Sequence, residues 1–399
     1  MRIILFAGKG GVGKTTIAAA TAVAAAQTGC KTLLMSLDPA HSLSDAFDLD
    51  ISLLAAHKGK PLKLDKNIWL QELDIHEELE SNWGEVHRYL ASVFNTSGIN
   101  DILAEELAVL PGMEEISALL HINTYVKQKT YDLIILDCAP TAESLRFVSL
   151  PTTLEWYMNK VFSLQRNIMK IVRPVADKVS DIPLPRDSYF NSLDKLFGRL
   201  KGADKILTDM EHTTVRLVTN PEKMVLRETQ RAFMFFRLHQ LAIDAVIINR
   251  ILPKDSRDER FREWGAIQDG YLKKAEDYFS PVPIFQCPWQ EGEILGMEKL
   301  TRLSRALYPK KNPTEVFYRR QPTKFVKENG HLVLRIHVPF AESKDLDLTK
   351  VGDELIIKTA NFKRNLILPR SFAALEPVGA RTDGDELVIR FGGENESGQ

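Results

Sequence analysis

Three cysteines in 399 residues, Cys30, Cys138 and Cys287, are too few and too far apart for a disulfide scaffold. With no Cys-x-x-Cys pair and no histidines at metal spacing, no intrinsic zinc site is expected. Charge of one sign is missing too: 52 Lys plus Arg face 53 Asp plus Glu, a formal net charge of −1. That balance removes the long-range field of a dedicated nucleic-acid binder, so no nucleic-acid partner is expected. Long hydrophobic runs are also absent. The longest charge-free stretch, Thr15 to Cys30, is mostly alanine and falls short of the roughly 20 strongly apolar residues of a spanning helix. It reads as a buried helix, and no transmembrane segment is expected. The apolar run from Ile3 to Ala7 is too short for a secretory signal, which leads to an expected cytoplasmic location.

What is present is a rhythm of short apolar runs between helical stretches: Ile3–Ala7, Thr32–Leu37, Ile68–Leu73, Leu133–Leu136, Val215–Thr219, Ala245–Ile248 and Val282–Phe285. Near-continuous apolar strands alternating with helices indicate an α/β fold with a mostly parallel sheet, over residues 1–308. Two long helical insertions, about 77–119 and 154–208, break the rhythm. The second is apolar over more than one helical stripe, from Leu154 and Trp156 through Phe162, Ile168 and Val175. Prolines and charges at 309–321 suggest a linker. After it the hydrophobic period becomes two, as in Leu332, Leu334, Ile336 and Val338, with turn signals such as Asp383-Gly384. A small antiparallel β-sandwich is expected at 322–392, and a disordered tail at 393–399.

Gly8-Lys9-Gly10-Gly11-Val12-Gly13-Lys14-Thr15 fits G-x-x-x-x-G-K-[ST] and lies between an apolar strand and an alanine-rich helix. Its glycines let successive N–H groups turn toward an anion, and the helix N-terminus adds partial positive charge. This loop, together with Thr16, is the expected nucleotide-binding segment. Lys14 would reach the β- and γ-phosphates of ATP, and Thr15 would serve Mg²⁺. Asp38, just past the second strand, could orient water and Mg²⁺ for in-line attack, and Asp137, at the end of the run from Leu133, is the other candidate magnesium residue. Either aspartate alone would read as a strand-end or capping residue; beside the loop, both read as catalytic machinery.

Lys9 adds a second lysine. Lys-Gly-Gly-x-Gly-Lys-Thr resembles the deviant phosphate loop of the nitrogenase iron protein, septum-site and arsenite-pump ATPase class, in which that lysine crosses to the partner's phosphates. The resemblance implies a homodimer across the nucleotide, with Lys9 catalytic in the partner's site. Asp38-Pro39-Ala40-His41-Ser42-Leu43-Ser44-Asp45 and Asp137-Cys138-Ala139-Pro140-Thr141 resemble the two switch segments of the arsenite-pump ATPase family, which includes the ATPase that guides tail-anchored membrane proteins. Pro111-Gly112-Met113-Glu114-Glu115, Val218-Thr219-Asn220-Pro221-Glu222 and Ile247-Ile248-Asn249-Arg250 resemble it as well. By that resemblance Asp38 positions the attacking water, Thr15 and Asp137 serve Mg²⁺, and Asn249 with the segment around Pro288 holds adenine.

Departures from the family shape the expectation further. The cysteines that bind arsenite in its pump members, and the Cys-x-x-Cys zinc clamp of the targeting ATPase, have no counterpart here. Ala142-Glu143 replaces the usual Gly-His after the second switch. Family position makes the two insertions a candidate surface for a hydrophobic or transmembrane-helix client, with a plain helical core as the competing reading. The last domain resembles an α-crystallin or small heat-shock domain, joined to this ATPase as in photosynthetic organisms. Its expected role is client holding, dimer bracing or none. The resulting expectation is a Mg²⁺-dependent homodimeric ATPase whose nucleotide state controls client binding. A nucleotide-gated holdase or scaffold is the first rival, and a metalloid-pump subunit the second.

Overall fold

The computed structural model describes residues 1–38, 42–96, 100, 103, 105, 107–109, 112–139, 141–158, 162, 164–169, 184–256, 261–328, 331–338, 346–359 and 362–392. The tail at 393–399, Pro39, Ala40, His41 and much of 159–183 lie outside them. The chain divides into two compact units: Met1–Phe6, Lys14–Leu207 and Gly292–Thr314 form the first, and Ala7–Gly13, Thr208–Glu291 and Glu315–Gln399 the second.

The strands of the first unit are β1 (Arg2–Ala7), β2 (Thr32–Ser36), β3 (Leu62–Asp65), β4 (Ile68–Glu72) and β5 (Leu133–Asp137). Those of the second begin with β6 (Thr213–Thr219), β7 (Ile243–Ile251) and β8 (Ile284–Pro288). Together they make a large, mostly parallel eight-stranded sheet, in the order β3-β4-β2-β5-β1 in the first unit and β6-β7-β8 in the second. β2, β5 and β6 are buried along their whole lengths, as an apolar strand covered on both faces must be.

In the first unit β5 is central, with Phe6 opposite Asp137 on one side and Ser36 opposite Asp137 on the other. The ends of β1, β2 and β5 therefore lie level, where parallel sheets carry their ligands. The helix Lys14–Gln27 follows the phosphate loop. Its alanines are buried nearly all round, and Thr21 meets its buried polar needs through the Ile17 carbonyl at 2.7 Å and the Tyr308 hydroxyl at 2.9 Å.

The periodicity misses β3, an antiparallel edge strand in which Leu62 and Leu64 alternate with Lys63 and Asp65. Lys63 lies over the Trp69 ring at 5.4 Å, so half the strand is charged, as edges usually are. β8 begins at Ile284, beyond the expected Val282, because Pro281 and Pro283 lack the N–H that a ladder requires.

The second unit ends in β9 (Thr323–Glu328), β10 (His331–His337), β11 (Leu346–Val351), β12 (Glu354–Thr359), β13 (Phe362–Ile367), β14 (Glu376–Asp383) and β15 (Glu386–Gly392). These form two antiparallel sheets, β14-β15-β10-β9 and β11-β12-β13. One core joins them, containing Leu334, Ile336, Leu355, Ile357, Leu387 and Phe391, and Leu238 from the helix Lys223–Leu238 enters it. Residues 315–320 contain no helix or strand, yet their backbone is tied down. The Arg216 guanidinium donates to the Glu315 carbonyl at 3.0 Å, and Arg237 donates to that of Arg320 at 2.9 Å.

Two histidines beside that core are held neutral. Burial, reinforced by Arg237 and Arg320, pushes His337 down to about 4, and burial with the Arg364 charge pushes His239 down to about 3. Below pH 6.5 an unfolded chain binds protons on these rings while the folded chain refuses them. Stability should therefore fall as pH drops from about 6.5 toward 4, by up to about 1.4 kcal/mol per pH unit for each histidine. Thermal melts at pH 7.5, 6 and 5 test this. The slope should flatten in His337→Gln, and an unchanged slope would remove that residue from the account.

Candidate nucleotide site

Two glycines of the loop carry steric requirements that no other residue meets. A Cβ on Gly8 would lie 2.2 Å from the Val218 carbonyl oxygen, and one on Gly13, at φ +90°, would lie 2.5 Å from Asn249 Nδ2. The loop thus lies directly against the ends of β6 and β7. Asn249 Nδ2 donates to the Val12 carbonyl at 2.8 Å, and its Oδ1 accepts from the Arg250 N–H at 2.9 Å. Asn249 thus braces the phosphate loop. Pro288 is exposed at the end of β8, opposite Ile251 of β7. Lys9 is about one-third exposed and pairs with Glu228 at 3.8 Å, on the helix Lys223–Leu238.

In the first unit the level strand ends bring Lys14, Thr15, Asp38 and Asp137 together. The Thr15 and Ser42 hydroxyls are 3.2 Å apart. The Asp38 N–H donates to Ser36 Oγ at 3.1 Å, and the Leu37 N–H donates to the Asp137 carbonyl at 2.8 Å, which fixes the backbone that presents both carboxylates. Asp137 is fully buried. Burial pushes it up to about 7 despite the opposing influence of Thr15 and Lys14, and the Asp38 charge pushes the same way as burial.

Thr15 is near enough to favour the ionised form, but neither Asp137 carboxylate oxygen completes a well-formed hydrogen bond. A buried carboxylate in this condition is costly unless a cation is its partner. Thr15, Ser42, Asp38 and Asp137 are hard oxygen donors of the kind that Mg²⁺ takes alongside water and phosphate, so the residues fit the ion. Among the described residues no three His, Cys, Asp or Glu side chains cluster as a self-sufficient metal cage.

One contact escapes motif reading. The Leu43 N–H donates to Glu72 Oε1 at 2.9 Å, so the last residue of β4 caps the short helix Leu43–Ala46 that follows Asp38. Nothing in the local pattern around Glu72 announces this; only the pairing of β4 with β2, Ser36 opposite Glu72, makes it visible.

Residues 1–309 match the family described as anion-transporting ATPase, and residues 329–391 match the HSP20-like domain found in its members. The chain is 46% identical over 393 residues to "Putative arsenical pump-driving ATPase 1" of Aquifex aeolicus, covering 98% of this chain and 99% of the relative. It is 36% identical over 394 residues to "Putative arsenical pump-driving ATPase" of Chlorobaculum tepidum, covering 98% and 96%. Over 323 residues it is 26% identical to "ATPase ASNA1 homolog 2" of Paramecium tetraurelia, covering 79% and 96%. On these matches the chain belongs to the anion-transporting ATPase family: it is an ATPase with an HSP20-like domain following the ATPase region.

Proposed function

We propose that the chain is a Mg²⁺-dependent ATPase that pairs with a second copy across the nucleotide and uses ATP to control its hold on hydrophobic protein segments. The observation that carries the metal part is Asp137, buried, elevated and without a completed hydrogen bond beside Thr15. Mg²⁺ when bound would neutralise charge on the β- and γ-phosphates. Thr15 and Asp137 would hold the ion, with Asp38 near it. Loop N–H groups and Lys14 bind and orient the phosphates. Asp38 orients the attacking water and accepts its proton. Lys9, held by Glu228 within its own chain, would exchange that partner for the phosphates of the second copy.

Client binding is supported by exposed apolar side chains in the insertions. Leu103, Leu107, Trp156, Leu164 and Ile168 are each more than 40% exposed, more than solvated helical segments need. All belong to the first unit. Among the described residues no helix is long and apolar enough to cross a membrane. A fluorescent transmembrane-helix peptide should bind the protein loaded with a non-hydrolysable ATP analogue and the ADP-loaded protein with affinities differing about tenfold or more, some 1.4 kcal/mol. Equal affinities would leave a holdase with incidental hydrolysis.

The metalloid-pump reading suggested by the names of two relatives ranks behind. Arsenite chemistry needs thiolates, whereas burial pushes the Cys287 thiol up to about 11 and raises those of Cys138 and Cys30 as well.

A further inference from the structure

A polar stripe crosses the first unit where the sequence shows only a helical insertion. On the helix Met113–Gln128, Ser117, His121 and Tyr125 recur every four residues and so share one face, while neighbours such as Ala118, Leu119 and Ile122 are buried in the core. The stripe faces the end of β4 on one side and a widened helical turn, Leu79–Trp83, on the other. Turns of that π type are uncommon and concentrate at functional positions.

Hydrogen bonds connect the members of the stripe. The Tyr125 hydroxyl donates to Gln71 Oε1 at 3.1 Å, and Gln71 Nε2 donates to the Gly59 carbonyl at 2.7 Å. The same hydroxyl lies 3.4 Å from His121 Nδ1. His121 Nε2 lies 2.6 Å from Glu78 Oε1, where an Nε2–H donates to the carboxylate. Burial of Glu78 opposes its ionisation, but hydrogen bonds from His121, Asn82 and Ser117, together with the His121 charge, outweigh it and hold the carboxyl below its ordinary range.

At either end the chain of contacts reaches a segment of functional interest. Asn82 Nδ2 donates to Glu78 Oε2 at 2.7 Å, the Arg199 guanidinium donates to Asn82 Oδ1, and Asn123 Nδ2 donates to the Arg199 carbonyl. Arg199 is on the helix Asp187–Leu200 of the second insertion. Next to Gln71 on β4, Glu72 holds the Leu43 N–H, one residue after Ser42, whose hydroxyl meets Thr15. Every member belongs to the first unit.

We propose that Glu78, His121 and Tyr125 are positioning residues that tie the helix Asp187–Leu200, through Gln71 and Glu72, to the segment following Asp38, so that the nucleotide's phosphate state is read out in the helical insertions. This inference rests on the nucleotide-controlled cycle proposed above. A hydrogen-bonded network with a buried carboxylate at its centre has few alternative arrangements, so displacing one end forces a change along it. Gain of a γ-phosphate beside Thr15 and Ser42 would shift Leu43, and the shift would pass from Glu72 and Gln71 to Tyr125, His121 and Glu78. Glu78, His121 and Tyr125 act through Gln71 and Glu72, not on the nucleotide itself.

Hydrogen–deuterium exchange of the full-length protein, loaded with Mg²⁺ and either ADP or a non-hydrolysable ATP analogue, tests the coupling. In the wild type both 43–47 and 187–200 should change exchange between the two states. Tyr125→Phe removes one oxygen and keeps the ring. It should preserve the response at 43–47 and reduce that at 187–200 at least twofold, and Glu78→Gln should reduce it further. Tyr131→Phe, an aromatic neighbour of Tyr125 at 5.4 Å outside the stripe, should leave both responses intact. A full response at 187–200 in both Tyr125→Phe and Glu78→Gln overturns the inference. So does a wild type that responds at 43–47 alone, and that result leaves the nucleotide cycle standing. A wild type that responds at neither segment overturns the cycle and the inference with it.

Discussion

Asp38→Asn should lower ATP turnover by roughly 10²- to 10⁴-fold, the usual worth of a positioned proton acceptor, while nucleotide affinity stays within a few fold. The asymmetry follows from where the residue sits. Binding is expected to rest on the loop, whose shape is set by Gly8 against Val218 and by Gly13 and Val12 against Asn249. Asp38 is instead presented by the end of β2, with its N–H held by Ser36. Asparagine keeps that backbone anchor and the side-chain volume, but it cannot take a proton from water. Single-turnover hydrolysis beside a nucleotide titration separates the two effects. Retained turnover would falsify the assigned role, and lost affinity would mean that Asp38 supports the loop instead.

The phosphate loop was legible because its chemistry is local: eight consecutive residues between a strand and a helix carry the whole signal. Asp137 was legible for a related reason, since a carboxylate ending a fully apolar strand is conspicuous. Less visible was anything that depends on which strands become neighbours. Asn249 lies under Val12 and Glu72 caps Leu43 only because parallel strands far apart in sequence end at one level. Local periodicity contains no such information. β3 escaped because an edge strand half made of charges shows little apolar pattern, and β9 because Lys324 and Lys327 interrupt it in the same way.

Buried charge was the least legible feature of all. Arg216 lies in the middle of β6 and Arg237 near the end of an amphipathic helix, positions at which composition predicts an exposed or partly exposed side chain, yet both are fully buried. Arg216 donates to Asp244 and to the distant Glu315 carbonyl, and Arg237 donates to the nearby Ile243 carbonyl and the distant Arg320 carbonyl. Burial lowers Arg237 to about 10, and its guanidinium lies over the Phe233 and Tyr318 rings at 5.4 and 5.9 Å. The stretch between the ATPase and HSP20-like regions looks like a spacer in composition, but these buried cations and their aromatic partners fix residues 315–320 in place.

The strongest stability effect should come from breaking that anchor. Arg216 and Asp244 are both 0% exposed and meet as a fork, with Nε to Oδ1 and Nη2 to Oδ2 each at 3.3 Å. Asp244 Oδ2 also accepts from the Phe317 N–H at 3.3 Å, and the Phe317 ring lies 4.5 Å from the guanidinium and 4.8 Å from Phe285. Asp244→Ala would strand a buried guanidinium and should cost about 3–5 kcal/mol, a large share of the roughly 5–15 kcal/mol that keeps an ordinary domain folded. Asp244 is the second residue of β7, away from the strand end bearing Asn249, so the loss should appear in denaturation and not first in catalysis. Limited proteolysis should cut the variant near 315–320 well before the wild type. Replacing both partners by apolar side chains of similar size, Arg216→Met with Asp244→Leu, should recover most of the loss, because the cost comes from an unmatched charge more than from the missing attraction. If the single variant melts like the wild type, the pair is not holding residues 315–320; if the double variant is as unstable as the single, the hydrogen bonds to Glu315 and Phe317 matter more than the charges.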